Sequence, residues 1–175
     1  MRILPTATLL VAALAVAHPA PVLAIQPDVE PDLRAASACC QDQMEAAEAL
    51  LREGRWREAR REYRRVSDRQ IEAGEFPGHA LWQVAEIENA HGSVLRAARH
   101  LDRIARHAER FGQPTMQVRA LTEAVDLYRQ VGRNDLALQR YTRVEALLAS
   151  PDVGEAARRI ATTRFQNRTL ARGRV

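Results

Sequence analysis

The sequence predicts an all-α chain made of three successive helix pairs and a closing helix, and three observations predict it. From about Ala36 to Arg172 the apolar residues recur at helical spacing, with no alternating run of β-branched residues to suggest a strand. Glycines and prolines punctuate that pattern at roughly helix-length intervals. Several kinds of position also repeat together: Gly54, Gly92 and Gly132 are 38 and 40 residues apart, and Pro77, Pro114 and Pro151 are spaced by 37. Ala59, Ala97 and Ala137 follow the glycines by five residues, then come Tyr63, Leu101 and Tyr141, then Val66, Ile104 and Val144. Registers that move together indicate a repeated helix–turn–helix unit.

The elements follow in chain order. Residues 1–24 read as a secretory signal: Arg2, an apolar run from Leu9 to Val16, a break at Pro19 and Pro21, and small residues in Val22-Leu23-Ala24 before a cleavage point. A spanning helix needs about 20 consecutive apolar residues, and this run is shorter, so retention as a membrane anchor is the weaker alternative. Cleavage is expected before Ile25, leaving no stable membrane insertion. A lipid anchor at Cys39 is not expected, because Asp28, Glu30, Asp32 and Arg34 separate it from the apolar run. Residues 25–37, with Pro27 and Pro31 among acids, read as an extended lead-in. The helical domain then spans 38–172, with helices expected over 38–53 and 56–73, 79–91 and 94–111, 115–131 and 134–149, and 152–171.

Each register has a physical reason. Glycine ends the first helix of a pair by taking the left-handed conformation at low cost. Alanine in the second helix lets the pair approach closely, and the larger residue one turn on fills the space beside it. Proline precedes or opens the next unit, where a missing amide donor costs nothing. In the closing helix, Val153, Ala156, Ala157, Ile160, Ala161 and Phe165 mark an apolar side, with Arg158, Arg159, Arg164 and Arg168 turned to water.

Glu53-Gly54-Arg55-Trp56-Arg57-Glu58-Ala59 with Tyr63 and Val66, and Val131-Gly132-Arg133-Asn134-Asp135-Leu136-Ala137 with Tyr141, Val144 and Pro151, resemble the turn and second helix of a tetratricopeptide repeat. The middle unit, His91 to Ala97, is a weaker match. In the first helices the small-residue position falls on Ala47, Ala85 and Val125, and the aromatic-like one on Leu50, Glu88 and Tyr128. Glu88 departs from the pattern. The period also exceeds the family's usual spacing of about 34 residues, so longer second helices are expected. The resemblance, covering roughly 40–151, implies a right-handed superhelix whose first helices line a concave groove. Its groove positions fall on Gln41, Met44, Glu48 and Arg52, on His79, Trp82, Glu86 and Asn89, and on Arg119, Thr122, Asp126 and Arg129. Glu48, Glu86 and Asp126 then form an acidic row with Trp82 as a central anchor; the alternative is that Trp82 packs internally and Arg52 and Arg129 pair with these acids.

Composition narrows the function classes. All the basic residues are arginine, which excludes a P-loop lysine, a Schiff-base lysine and the lysine of the family's carboxylate clamp. Without Arg2 the chain keeps 25 arginines against 22 acids, a balance that favours a soluble surface over nucleic-acid binding. Between Arg55 and Glu72 the arginines and acids alternate, with Glu53–Arg57 and Arg64–Asp68 spaced at i,i+4 to pair.

No catalytic, cofactor or metal constellation emerges. His79, His91, His100 and His107 lack ligand spacing, and there is no Gly-rich phosphate loop or nucleophile elbow. Cys39 and Cys40 are expected near the start of the first helix and exposed enough to react. Adjacent Cα atoms lie about 3.8 Å apart, closer than the usual disulfide span, so a bond between them requires a distorted peptide. Unbridged thiols, an intermolecular disulfide making a homodimer, and a vicinal bond or metal contact all stay open. The functional expectation is a periplasmic or secreted scaffold, not an enzyme, binding a protein or peptide segment in the groove. A self-associating subunit linked through Cys39 or Cys40, and an enzyme with an unrecognised site, are the alternatives.

Overall fold

The computed structural model describes residues 40–172, all-helical throughout: α1 (Gln41–Arg52), α2 (Trp56–Glu72), α3 (Gly78–His91), α4 (Val94–Arg110), α5 (Pro114–Gln130), α6 (Asn134–Leu148) and α7 (Glu155–Arg172). The expected signal, the lead-in, Cys39 and the side chain of Arg168 lie outside the described residues. None of the described helices is long and apolar enough to cross a membrane.

Four helices end in the same way. After α1, Gly54 at φ 75° lets its own amide reach the Leu51 carbonyl while Arg55 N–H reaches Leu50. The two bonds satisfy carbonyls that a helix end otherwise leaves without partners. Gly132 repeats this after α5, as expected. Gly74 and Gly112 do so after α2 and α4, where the sequence reading assigned glycine no role. Gly92 does not: its φ is −128°, and α3 closes with a single bond to the Glu88 carbonyl. A Cβ on Gly92 would stand 2.3 Å from Glu88 Oε2, so this glycine makes room for a buried carboxylate.

Connections of two to six residues make consecutive helices antiparallel neighbours. The helices form two layers. In one, α1 meets α3 through Glu48 and His79, α3 meets α5 through Trp82 and Arg119, and α5 meets α7 through Glu123 and Arg164. In the other, Asp68 of α2 reaches Arg103 of α4, and Glu109 of α4 reaches Arg143 of α6. Arg64 and Asp68 therefore pair with other helices (Arg64 with Glu88), and the expected pairing within α2 is replaced by contacts that tie units together.

The repeated registers are the core. Ala59, Ala97, Ala137, Val66, Ile104 and Val144 are buried, as are Ala47, Ala85 and Val125 opposite them. Two apolar clusters share α3: Ala80, Val84 and Ile87 pack with α1 and α2, whereas Leu81 and Ala85 face α4 and α5. The closing helix departs in detail. Val153, in the turn before α7, is buried with Ala157 and Ala161, and Phe165 packs edge-on against Tyr141 at 4.7 Å, but Ile160 and Ala156 are exposed. The buried stripe has strict i+4 spacing, so the residues between these steps turn outward.

Candidate functional site

The face formed by α1, α3, α5 and α7 carries most of the expected groove residues. Glu48 is exposed on α1, and its carboxylate lies 3.9 Å from His79 Nε2 on α3. One turn along α3, the Trp82 indole N–H donates to Glu86 at 3.1 Å, and the Arg119 guanidinium of α5 sits 5.6 Å from the Trp82 ring centre. Trp82 is half-buried: one part packs against the core and another is left on the face. Asn89 is half-buried, and Gln41, Arg52 and Arg129 are exposed.

Two expected groove residues are core instead. Met44 is 6% exposed and packs with Tyr63 and Val84 in the smaller cluster, because it points toward α2 and α3. Thr122 is 2% exposed, and its hydroxyl donates to the Val118 carbonyl one turn back, so it has nothing to offer a partner.

The acidic row is uneven in charge. Burial pushes the Glu86 carboxyl up to about 7; the Trp82 hydrogen bond opposes the shift and Glu123 across the face adds to it. Asp126 lies 3.4 Å from Arg164 of α7, and the same guanidinium contacts Glu123 at 2.5 Å. Arg164, expected in water, thus neutralises the α5 end of the row. Glu48 is left as its exposed member, with the His79 imidazole 3.9 Å away.

The sequence reading missed Glu123 on this face and Leu51, Tyr63 and Gln83 beside it. Glu123 lies one turn before Asp126 on α5, a spacing that could have shown it. Tyr63 and Gln83 could not be found that way. Together with Glu48, Leu51 and Arg52 they line an open depression of about 350 Å³ between α1, α2 and α3. Tyr63 is fully buried, and its hydroxyl has no hydrogen-bond partner among the described residues. Burial, then the Glu48 and Glu86 charges, hold the phenol well above its ordinary range.

On the other layer lies a charge cluster of structural kind. Glu88, 1% exposed, occupies the aromatic-like position of the middle unit. It accepts from Arg60 at 2.7 Å, Arg96 at 2.9 Å and Arg64 at 3.3 Å. Burial acts to raise its pKa, but the Arg96 hydrogen bond and the three positive charges outweigh it and hold the carboxyl below its ordinary range. At the junction with the third unit Asp102 of α4 is held in a similar way, gripped by both guanidinium arms of Arg140 at 2.8 Å and by the Tyr128 hydroxyl at 2.6 Å.

Cys40 opens α1, as expected, but is 1% exposed within the smaller cluster. A bridge from Cys40 to a second chain would require uncovering it, which corrects the expectation of a reactive, exposed side chain at that position. Among the described residues no three His, Cys, Asp or Glu side chains converge as metal ligands would.

No protein-family model matches the chain, and comparisons with curated proteins and with solved structures find no match either.

Proposed function

We propose that the chain is an exported scaffold built on tetratricopeptide-like units, and that the face of α1, α3 and α5 binds an extended or helical segment of a protein partner. A right-handed stacking of the three pairs makes this the concave side, and α7 closes the end of the stack. One observation carries the reading: Trp82 stands half-exposed at the middle of a face whose neighbouring side chains are polar and charged. A large aromatic ring left partly open within a polar rim is the arrangement of an interface anchor. Repeat surfaces of this kind commonly serve binding.

Glu48 gives the α1 end of the face a preference for a basic segment. The α5 end is less selective, since Arg164 already compensates Asp126 and Glu123. The leader expected over 1–24 supports a location in the periplasm or outside the cell.

The test is affinity capture from envelope extracts with the parent protein and with Trp82→Ala. Loss of an interface anchor of this size often costs about 2 kcal/mol, roughly thirty-fold in affinity. The expected result is a captured protein that disappears with Trp82→Ala while the melting temperature stays within a few degrees of the parent. Undiminished capture by a folded Trp82→Ala protein refutes the reading.

A further inference from the structure

We infer that the depression between α1, α2 and α3 is a subsite for a basic side chain, arginine or lysine, of the segment docked on this face. The inference rests on the proposed binding face and specifies its chemistry. The depression measures about 350 Å³ and is lined by Glu48, Leu51, Arg52, Tyr63 and Gln83. That volume admits one long side chain and little more. Leu51 and the Tyr63 ring offer an apolar wall for the aliphatic stem, as such side chains prefer. Two oxygens are available to a cationic head, the Glu48 carboxylate and the Gln83 amide carbonyl, with the Tyr63 hydroxyl buried behind them.

The Tyr63 hydroxyl is the independent sign of a ligand. A buried polar group is ordinarily hydrogen-bonded, because leaving it without a partner costs free energy. This one is buried on a residue of 0% exposure, has no partner among the described residues, and belongs to the wall of an open depression. A docked donor from a partner satisfies it once the side chains at the mouth of the depression move aside, since the hydroxyl itself has almost no exposed surface.

Charge selects the sign of the ligand. In α1, Asp42, Glu45 and Glu48 stand against Arg52 alone, and α3 contains Glu86 and Glu88 with no arginine. Glu88 is already neutralised by its three arginines on the other layer. Glu48 is therefore the acid in the wall of the depression that faces a newcomer. Arg52, exposed on the rim one turn after Glu48, is a like charge that opposes a cation's approach.

The experiment is a titration of the full-length chain with N-acetyl-arginine amide, with N-acetyl-glutamate amide as the opposite-charge control, followed by amide and side-chain NMR shifts. The expected result is a saturable response of Gln83 and of α1 and α3 amides to the arginine probe alone. Tyr63→Phe, which keeps the ring and removes the orphaned hydroxyl, should weaken that binding about ten-fold, the loss of one hydrogen bond to a charged group. The variant should be as stable as the parent or more so. Arg52→Gln should strengthen binding, since it removes the opposing like charge.

Preference for the glutamate probe, or weaker arginine binding in Arg52→Gln, overturns the assignment. Tyr63→Phe with unchanged affinity overturns it as well. Shifts confined to the surroundings of Trp82 refute the subsite and leave the binding face standing. Shifts confined to the arginine-rich α2 and α4 overturn both.

Discussion

Glu86 and Glu88 are two residues apart on one helix, yet their surroundings drive them in opposite directions. Glu88 points into a junction of α2, α3 and α4, where Arg60, Arg64 and Arg96 converge on it and keep it charged. Glu86 faces the other layer, where its neighbours are an indole N–H and a second carboxylate, and burial lifts its pKa to about 7. The sign of the stability effect follows. Below the ordinary carboxyl value of 4.5 the group is protonated in both folded and unfolded chains. Between that value and about 7 the unfolded chain ionises while the folded one keeps its proton, so stability falls as pH rises, and above this window the loss is complete. The contribution is on the order of 1–3 kcal/mol. Glu86→Gln should therefore gain on the parent as pH rises. The melting-temperature gap, read by circular dichroism, should be smallest at pH 4.5 and reach several degrees at pH 8; a constant gap over that range contradicts the account. Neither fate was legible in the sequence. Glu88 looked like a flaw in the repeat, and the arginines that explain it are 8 to 28 residues away.

Helix ends were the most legible elements and also the place of an unforeseen device. The expected boundaries agree with the observed ones within about three residues, because glycine and proline mark them by local backbone chemistry. The end of α6 has no glycine like the others. Instead Arg158 of α7 reaches back and donates to the carbonyls of Leu148, Ser150 and Val153. One guanidinium thus does for α6 what a left-handed glycine does for α1, α2, α4 and α5, and it fastens α7 in doing so. Arg158→Ala should lower stability by about 1–3 kcal/mol through the carbonyls left without donors. Arg158→Lys should restore only part of this, since an ammonium cannot fork across three acceptors in the same geometry. Urea denaturation of the three proteins measures it, and equal midpoints refute it.

Across the whole molecule each helix packs chiefly against its neighbours in sequence, with α7 returning to α5. A stack of this kind is held by local interfaces, so stability is greatest where a helix is covered on most sides. That helix is α5, which buries residues around most of its circumference, from Met116 to Tyr128, whereas α1 buries Met44 and Ala47 and α6 buries Ala137 and Val144. Hydrogen exchange should accordingly find the slowest amides in α5 and the facing side of α4, with protection falling toward α1 and α6. Uniform protection from α1 to α6 contradicts it. The amino-acid sequence by itself determined the all-helical class, the pairing of helices and the buried alanine and valine registers. Those depend on periodicity and turn chemistry, which act over one or two turns of chain. Only the tertiary structure decided which polar side chains are core and which are site. Met44 and Thr122 turned inward, Arg164 crossed to Asp126 and Glu123, and Tyr63 met Gln83, Glu48 and Arg52 at a shared depression. An apolar residue is buried by whatever covers it, but a charged or hydroxyl-bearing one is placed by specific partners. Here those partners come from other helices, which local spacing does not encode.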